Sequence, residues 1–483
     1  MRITIDPVTR LEGHAKIEIF LDERGEVQNA YFQVPELRGF EKFCQGRPAE
    51  EMPLITPRIC GVCPGAHHMA SAKATDGVFG VTPPPAGRKL RELFYCAHYV
   101  HSHVAHFFAL AAPDFVPGPD ADPRERNILG LVARVGLEIG GEVIRHRAYA
   151  QKIQAMLGGK ATHPACGVPG GMSKPITEEE RREIEEMARS TVEFAKTSLK
   201  IFDQVVLGNP AYVEMIKSDA YTMRTYYMGL VDERGRVNFY DGKLRVVDPD
   251  GNEFATFAPE DYLEHIAERV EPWSYLKFPY LRKVGWHGYV DGKGNGLYRV
   301  APLARLNAAT GMATPAAQAE YERYFSTLGR PVHHTLANHW ARLIELLYAA
   351  ERLLELATDP EITSPEVRTL PTGVAGEGVG VVEAPRGTLF HHYRTDDKGL
   401  ITAVNLIVAT VNNHAAICMS VKKAAQGVIK AGKVDQGILN RVEMAFRAYD
   451  PCFGCATHTL PGQMPMEVTI RDVRGEVVEV LRR

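Results

Sequence analysis

The chain has 483 residues and carries 56 Lys and Arg against 59 Asp and Glu, which gives a formal charge of −3. Apolar residues make up 45% and charged residues 24% of the chain, and the mean hydropathy is −0.18. These values exclude a basic nucleic-acid binder, a disordered chain and a multi-span membrane protein. No run reaches the roughly 18 apolar residues that a bilayer span requires, so no membrane span is predicted. We therefore expect a soluble, cytoplasmic protein with a sizeable core.

The predicted elements are mostly helices. Residues 2–34 alternate apolar and polar side chains, which predicts an antiparallel β-hairpin or meander. Two Asp-Gly turns, at Asp241 and Asp250, separate short β runs. Helical spacing or runs free of Gly and Pro predict helices over residues 88–112, 121–157, 177–206 (opened by a Thr177 capping box), 258–271, 316–327 and 336–356. The expected fold is α+β and predominantly helical, with a long central helix bundle.

The chain shows no internal repeat, low-complexity tract or flexible linker. We therefore expect residues 1–458 to form a single compact domain. Residues 459–483 contain Pro461-Gly462 and then two β-like runs, at 468–470 and 477–481. These last residues are interpreted as a C-terminal extension.

Four of the eight cysteines form two Cys-x-x-Cys pairs, Cys60-Gly-Val-Cys63 and Cys452-Phe-Gly-Cys455. This spacing lets two sulfur atoms converge on one ion, and two such pairs are improbable by chance. Because nearly the whole chain separates the pairs, they cannot form a local zinc ribbon, and the fold must bring them together. Spacing alone leaves a structural zinc site, nickel, an iron–sulfur cluster and redox-active dithiols as alternatives.

The residues that flank the cysteines carry longer motifs. Arg58-Ile-Cys60-Gly-Val-Cys63-Pro-Gly-Ala-His67 and Asp450-Pro-Cys452-Phe-Gly-Cys455-Ala-Thr-His458 closely resemble the paired signatures of nickel–iron hydrogenase large subunits. Three further segments agree with this family in the same order: Thr9-Arg-Leu-Glu12-Gly-His14, Arg38-Gly-Phe-Glu41 and Pro385-Arg386-Gly387. The resemblance therefore covers nearly the whole chain and implies the large-subunit fold of that family.

The resemblance implies a catalytic subunit that cleaves dihydrogen reversibly into protons and electrons. The compact length and residues 36–43 look most like the cytosolic, viologen-reducing, heterodisulfide-reductase-associated enzymes of anaerobes. The four single cysteines cannot supply a conventional four-thiolate wire, so we expect electrons to leave through an iron–sulfur small subunit. Electron-transfer and heterodisulfide-reductase-type subunits are the expected further partners. The alternatives are a nicotinamide- or deazaflavin-reducing hydrogenase, a dihydrogen sensor and a non-catalytic quinone-oxidoreductase-like homologue.

The same resemblance implies the roles of the sulfur atoms. All four bind nickel, while Cys63 and Cys455 also bridge to an iron that carries carbon monoxide and cyanide. Cys60 and Cys452 are terminal ligands, and Cys452 is the expected first proton acceptor when dihydrogen splits heterolytically. Glu12 corresponds to the family's proton-relay carboxylate, a role that requires a partly desolvated acid.

Other residues correspond to the surroundings of the metals. Arg386, next to Pro385, resembles the arginine whose guanidinium lies over the metals and holds a cyanide. Thr410 is expected to offer a hydroxyl to another cyanide, and Asp450 fits a carboxylate partner of Arg386. Ser102 stands where respiratory relatives carry a second acid, so these surroundings are expected to be less acidic.

Glu41 and His458 match the ligands of a distant magnesium-type ion. In the family, a maturation endopeptidase cuts after the histidine equivalent to His458, which here would release residues 459–483. His67 resembles the histidine between the nickel centre and the partner's nearest cluster. The set His98, His101, His103 and His106 is interpreted as the polar lining of a buried helix rather than a metal site.

Overall fold

A computed structural model describes residues 1–458, 467–474 and 476–482. Helices predominate and the sheets are small, so the predicted α+β class is confirmed. The α-helices are α1 Phe40–Phe43, α2 Met52–Ile55, α3 Pro64–Val78, α4 Pro85–Ala105, α5 Ile128–Val135, α6 Leu137–Gly158, α7 Glu178–Phe202, α8 Pro210–Lys217, α9 Tyr262–His265, α10 Pro302–Ala308, α11 Pro315–Leu328, α12 Asn338–Thr358, α13 Ala409–Asn412, α14 His414–Val428, α15 Gln436–Arg447 and α16 Phe453–Ala456.

The strands belong to small, mostly antiparallel sheets. They are β1 Arg2–Ile5, β2 Lys16–Leu21, β3 Val27–Gln33, β4 Gly167–Val168, β5 Gly171–Met172, β6 Tyr226–Val231, β7 Lys243–Val247, β8 Glu253–Phe257, β9 Ile266–Arg269, β10 Phe278–Leu281, β11 Tyr298–Arg299, β12 Glu377–Ala384, β13 Gly387–Thr395, β14 Ile401–Ile407, β15 Glu467–Arg471 and β16 Val477–Arg482. In the sheet ordered β11-β6-β7-β8, β11 runs parallel to β6 and the other pairs are antiparallel.

The predicted N-terminal meander is confirmed as the antiparallel sheet β1-β2-β3. Ile17 and Ile19 face the core and are fully buried, as the alternating pattern requires. The turn between β2 and β3 begins at Asp22, whose Oδ1 accepts hydrogen bonds from the N–H groups of Arg24 and Glu26. Strands β1 and β2 flank the segment that carries Glu12.

Long buried helices form the centre of the molecule, where α12 packs against α7 and α4. The Thr177 capping box is confirmed: Thr177 Oγ1 accepts from the Glu180 N–H, and Glu180 Oε2 accepts from the Thr177 N–H. The helix predicted over 88–112 begins at Pro85 and changes to a π-helix over His106–Ala111. No helix of the described residues is long and apolar enough to cross a bilayer.

The helix predicted over 258–271 is wrong. Only Tyr262–His265 forms an α-helix, and Ile266–Arg269 is a strand that pairs antiparallel with Phe278–Leu281. The side chains of Tyr262 and Ile266 fit helical spacing, but pairing with a strand later in the chain overrides this local preference.

The sheet β12-β13-β14 positions functional residues and was not predicted. Strands β12 and β13 form a tight hairpin in which Ala384 pairs with Gly387, so Pro385 and Arg386 form the turn. Helix α3 packs directly on this sheet. A side chain at Gly380 would lie 1.9 Å from the Ala70 carbonyl oxygen, so only glycine permits this close approach.

One hydrophobic cluster extends from Val8 to Ala456 and includes the four paired cysteines. A second, smaller cluster packs between the β6-β7 sheet and the β12-β13 hairpin. The two β-like runs of the extension form the predicted strands, β15 and β16, which pair antiparallel. Residues 459–466, where the expected cleavage point lies, are outside the described residues.

Candidate metal centre

The two Cys-x-x-Cys pairs meet in the interior, although they come from opposite ends of the chain. Cys63 caps helix α3, and Cys452 caps the short helix α16. A parallel bridge between Glu12 and Cys452 holds the N-terminal segment in place, with the Phe453 N–H donating to the Glu12 carbonyl at 3.0 Å. The N-terminal segment thus forms one side of the cysteine site.

The four sulfur atoms lie within 4.8 Å of one another and are buried. Cys63 Sγ is 2.7 Å from Cys455 Sγ, and Cys60 Sγ is 3.1 Å from Cys452 Sγ. All are free thiols. Among the described residues this is the one group of three or more His, Cys, Asp or Glu side chains that could hold a metal ion. Four convergent soft ligands fit a nickel-containing centre.

The sulfur atoms differ in their tendency to ionise. Hydrogen bonds from Cys452 and the other two thiols lower the pKa of Cys60, which also accepts from the Val62 N–H at 3.1 Å. Burial raises the pKa of Cys452 and of Cys455. Bringing four thiolates together in an apolar interior is unfavourable without a cation, so the donor set itself fits a metal.

Glu12 touches the cysteine cluster directly. Its Oε2 accepts a hydrogen bond from the Gly454 N–H at 2.7 Å and lies 3.0 Å from Cys452 Sγ. Burial and the nearby Cys60 charge raise the pKa of the Glu12 carboxyl. A side chain at Gly454 would lie 2.4 Å from Glu12 Oε1, so glycine leaves the space that this carboxylate fills. Glu12 can therefore exchange a proton with Cys452.

Arg386 and Asp450 form a buried ion pair beside the cysteines. Arg386 Nη2 lies 3.0 Å from Asp450 Oδ2, and its Nε donates to the Asp450 carbonyl at 2.7 Å. Burial opposes the charge of Arg386, but the Asp450 carboxylate and the cysteine sulfurs outweigh it and raise the pKa of the guanidinium. Arg386 Nη1 has no hydrogen-bond partner within the described part of the chain. A buried donor of this kind fits an acceptor bound next to the cysteines.

Pro385 and Thr410 also lie close to this site, but they make protein contacts. The Pro385 carbonyl accepts from Arg305 Nη2 at 3.1 Å. Thr410 Oγ1 accepts from the Cys452 N–H at 3.0 Å. The Thr410 hydrogen remains available to a further acceptor, because a hydroxyl can donate and accept at once. Ser102 is buried, and its Oγ lacks a hydrogen-bond partner among the residues described.

Glu41 and His458 meet at a second location. His458 Nε2 is 3.8 Å from Glu41 Oε1 and 2.7 Å from the Leu406 carbonyl oxygen, while Glu41 Oε1 accepts from the Leu406 N–H at 2.8 Å. Sequence reasoning missed Glu268, whose charge also interacts with Glu41 and His458. Its burial raises the pKa of its carboxyl, and its Oε1 has no hydrogen-bond partner in the described ranges.

His67 lies against the cysteines, with Nε2 3.4 Å from Cys455 Sγ and Nδ1 3.0 Å from His391 Nε2. Burial lowers the pKa of His67 to about 4, so the ring is neutral. Sequence reasoning missed His391, which lies in β13, the strand that follows the Arg386 turn. The histidine-rich helix α4 has the expected polar contacts: His103 Nε2 is 3.0 Å from Glu345 Oε2, and His106 Nε2 is 2.8 Å from the Arg447 carbonyl.

Comparison with protein families adds a finding to this geometry. A model described as nickel-dependent hydrogenase matches residues 38–126 and 293–458, and one described as HoxL-like matches residues 2–37. The chain is 52% identical to the iron-sulfur subunit of an F420-non-reducing hydrogenase from Archaeoglobus profundus, over all of this chain and 99% of that protein. It is 39% identical to the NAD-reducing hydrogenase HoxS subunit beta of Cupriavidus necator, over 99% of both chains.

Solved structures agree with these relatives. An NAD⁺-reducing [NiFe]-hydrogenase in the H2-reduced state matches with a TM-score of 0.88 and 38% identity, covering 95% of this chain and 99% of that one. The Ni-Fe-Se hydrogenase of Desulfovibrio vulgaris Hildenborough matches with a TM-score of 0.76 and 25% identity, covering 95% of this chain and all of that one. The large-subunit fold expected from the motifs is therefore confirmed.

Proposed function

Because the chain belongs to the nickel-dependent hydrogenase family, we propose that it is the catalytic subunit of an F420-non-reducing nickel–iron hydrogenase that cleaves dihydrogen reversibly. The convergence of four buried cysteine sulfurs within 4.8 Å carries this proposal. Cys60, Cys63, Cys452 and Cys455 would hold the metals, and the 2.7 Å approach of Cys63 to Cys455 supports these two as the bridging pair. When bound, the nickel–iron centre polarises dihydrogen and accepts its electrons.

In this proposal Cys452 and Glu12 move the proton. The terminal thiolate of Cys452 is the base that takes the proton from dihydrogen, and Glu12 Oε2, 3.0 Å away, receives it. The Gly454 N–H fixes the position of the receiving oxygen. The raised pKa of Glu12 supports this role, since the carboxyl can hold a proton that a surface carboxylate would lose at once.

Arg386 would stabilise charge in this proposal rather than move protons. Its unpartnered Nη1 fits the nitrogen of an iron-bound cyanide, and Asp450 keeps the guanidinium in position. The turn at Pro385 aims Arg386 at the site. The Thr410 hydroxyl, next to the Cys452 backbone, is suited to a second cyanide. Carbon monoxide would complete the iron ligands.

The Glu41 and His458 site would hold a magnesium-type ion. Glu41 Oε1, His458 Nε2 and the Leu406 carbonyl converge within hydrogen-bond or ion-pair distance. Such an ion would fix His458, which we propose as the last residue after a maturation endopeptidase removes 459–483. Residues 1–458 would then be the mature single domain.

Electrons would leave through a separate iron–sulfur small subunit. The four remaining cysteines, Cys44, Cys96, Cys166 and Cys418, are buried and are not part of the cysteine cluster. A heterodisulfide-reductase-type acceptor and a cytoplasmic location follow from the likeness to F420-non-reducing enzymes. The NAD-reducing relative makes nicotinamide reduction the second candidate.

The test is to purify the chain together with its small subunit under anaerobic conditions and to measure metals, the infrared spectrum and dihydrogen-dependent viologen reduction. We expect nickel and iron, carbon monoxide and cyanide stretching bands, and activity. Zinc as the bound metal, without these bands, would overturn the proposal. Dihydrogen-dependent reduction of NAD⁺ by the native complex would instead select the second candidate. Intact mass should change from the full chain to a form ending at His458 as nickel is inserted.

A further inference from the structure

A continuous row of buried polar side chains leads away from the cysteine cluster. His67 Nε2 lies 3.4 Å from Cys455 Sγ, and His67 Nδ1 lies 3.0 Å from His391 Nε2. His391 Nδ1 is 2.6 Å from Tyr393 Oη, which is 2.8 Å from Ser71 Oγ. All four side chains of this row are fully buried. The four-residue row is not part of the mechanism proposed above.

Secondary structure explains why these side chains meet in pairs. His391 and Tyr393 are two residues apart in β13 and point to the same face, about 6.6 Å apart along the strand. His67 and Ser71 are four residues apart on α3, about 6 Å along its axis, and lie on one helix face. Because α3 packs on this sheet, the two spacings match and each strand side chain faces one helix side chain.

A sulfur atom that binds a metal carries no proton and can only accept a hydrogen bond. An attractive contact therefore requires the proton of His67 on Nε2. A buried imidazole favours the neutral form, which has one donor and one acceptor. His67 Nδ1 must then accept from His391 Nε2–H, and His391 Nδ1 must accept as well. The Tyr393 hydroxyl is placed to donate to it.

We propose that Tyr393 is a positioning residue that sets the tautomers of His391 and His67, so that His67 Nε2–H donates to the metal-bound sulfur of Cys455. Ser71 supplies the hydrogen bond that Tyr393 then accepts, since either hydroxyl can donate. With the opposite direction along the row, the His67 lone pair would face the thiolate. This inference rests on the proposed function, because it requires metal at Cys455.

The consequence concerns how much electron density the sulfur gives to the metals. A hydrogen bond withdraws density from a thiolate, and such outer contacts tune a metal centre. Tyr393→Phe removes the hydroxyl but keeps the ring, so His391 Nδ1 loses the donor that the tyrosine provides. We expect His67 to populate both tautomers, Cys455 to donate more strongly, and the carbon monoxide band to move to lower wavenumber.

The experiment compares infrared spectra and metal content of the intact, metal-loaded complex carrying Tyr393→Phe or Tyr324→Phe. Tyr324 is a matched control, because it is also fully buried and its hydroxyl has no hydrogen-bond partner in the described residues. We expect nickel and iron to be retained in both variants and only Tyr393→Phe to shift the bands. The nickel midpoint potential, followed in the same spectra, should become more negative.

A second variant covers loss of folding or metal in Tyr393→Phe. Ser71→Ala removes one support of Tyr393 but leaves Thr56, which also hydrogen bonds to this phenol, so a smaller shift in the same direction is expected. Bands and potential equal to the parent in the metal-loaded variants would overturn the inference. If the parent complex itself lacks carbon monoxide and cyanide bands, the proposed function fails instead.

Discussion

The cysteine cluster has two contrasting sides. On the first side, Glu12 is half-buried, contacts Cys452 Sγ and has a raised pKa. On the second, Arg386 is buried, pairs with Asp450 and has its pKa raised further above its already high value. A carboxyl of this kind can gain and lose a proton, whereas a guanidinium stays charged. The difference teaches that proton movement and charge stabilisation are assigned to opposite sides of one cluster.

The largest effect is expected when the cluster between the two sides is broken. Cys452→Ser removes a soft ligand and the sulfur that Glu12 contacts, so we expect loss of nickel and of all detectable dihydrogen oxidation. Elemental analysis and viologen reduction measure both. The control is Cys166→Ala, a buried cysteine outside the cluster, which should keep its nickel. Full nickel content in Cys452→Ser would contradict the shared site.

Glu12→Gln tests the proton-transfer side. The amide oxygen can still accept from the Gly454 N–H, so metal content should not change, but the side chain no longer carries an exchangeable acid proton. We expect turnover to fall by about 10²–10⁴-fold. Interconversion of para- and ortho-dihydrogen should persist, while isotope exchange with water is lost.

Glu18→Gln is the control for this prediction, because Glu18 lies in the same N-terminal region and makes only partly exposed ion pairs with Arg2 and Lys16. It should retain parental turnover and isotope exchange. Parental solvent exchange in Glu12→Gln would remove Glu12 from the proton route and leave the two sides functionally alike.

Arg386→Lys tests the opposite side. Lysine keeps the positive charge but cannot reach both the Asp450 carboxylate and carbonyl while directing another donor to the cluster. We expect about a 10²-fold loss of turnover with solvent exchange falling in parallel, because no separate proton step is blocked. Arg394→Lys, at an exposed arginine, is the control. A variant that keeps turnover but loses solvent exchange would reverse the assignment of the two sides.

The sequence predicted the helical fold because its main signals are local. The Thr177 capping box and the apolar spacing of 336–356 identify helices from neighbouring residues alone. The sheet β12-β13-β14 gave no such signal: β13 is almost wholly buried and lacks alternation. Segment 258–271 failed for a related reason, since its strand depends on a partner later in the chain.

The site divides in the same way. Spacing and flanking motifs identified the cysteines, and the structure brings Glu12, Arg386, Asp450 and Thr410 around them. His391 and Glu268 escaped notice because their importance lies in contacts across the fold. A His two residues before a Tyr carries little information until α3 is seen to pack against that strand.

The smallest predicted effect concerns Thr410, which links the two sides by accepting the Cys452 N–H at 3.0 Å. Thr410→Val keeps the shape but leaves this buried donor unpaired, which should cost about 1–3 kcal/mol locally. Hydrogen–deuterium exchange of the Cys452 amide should become about tenfold faster or more. Thr410→Ser keeps the hydroxyl and should exchange like the parent. Equal protection in Thr410→Val would mean that Glu12 alone holds Cys452 in place, so that the first side of the cluster is independent of the second.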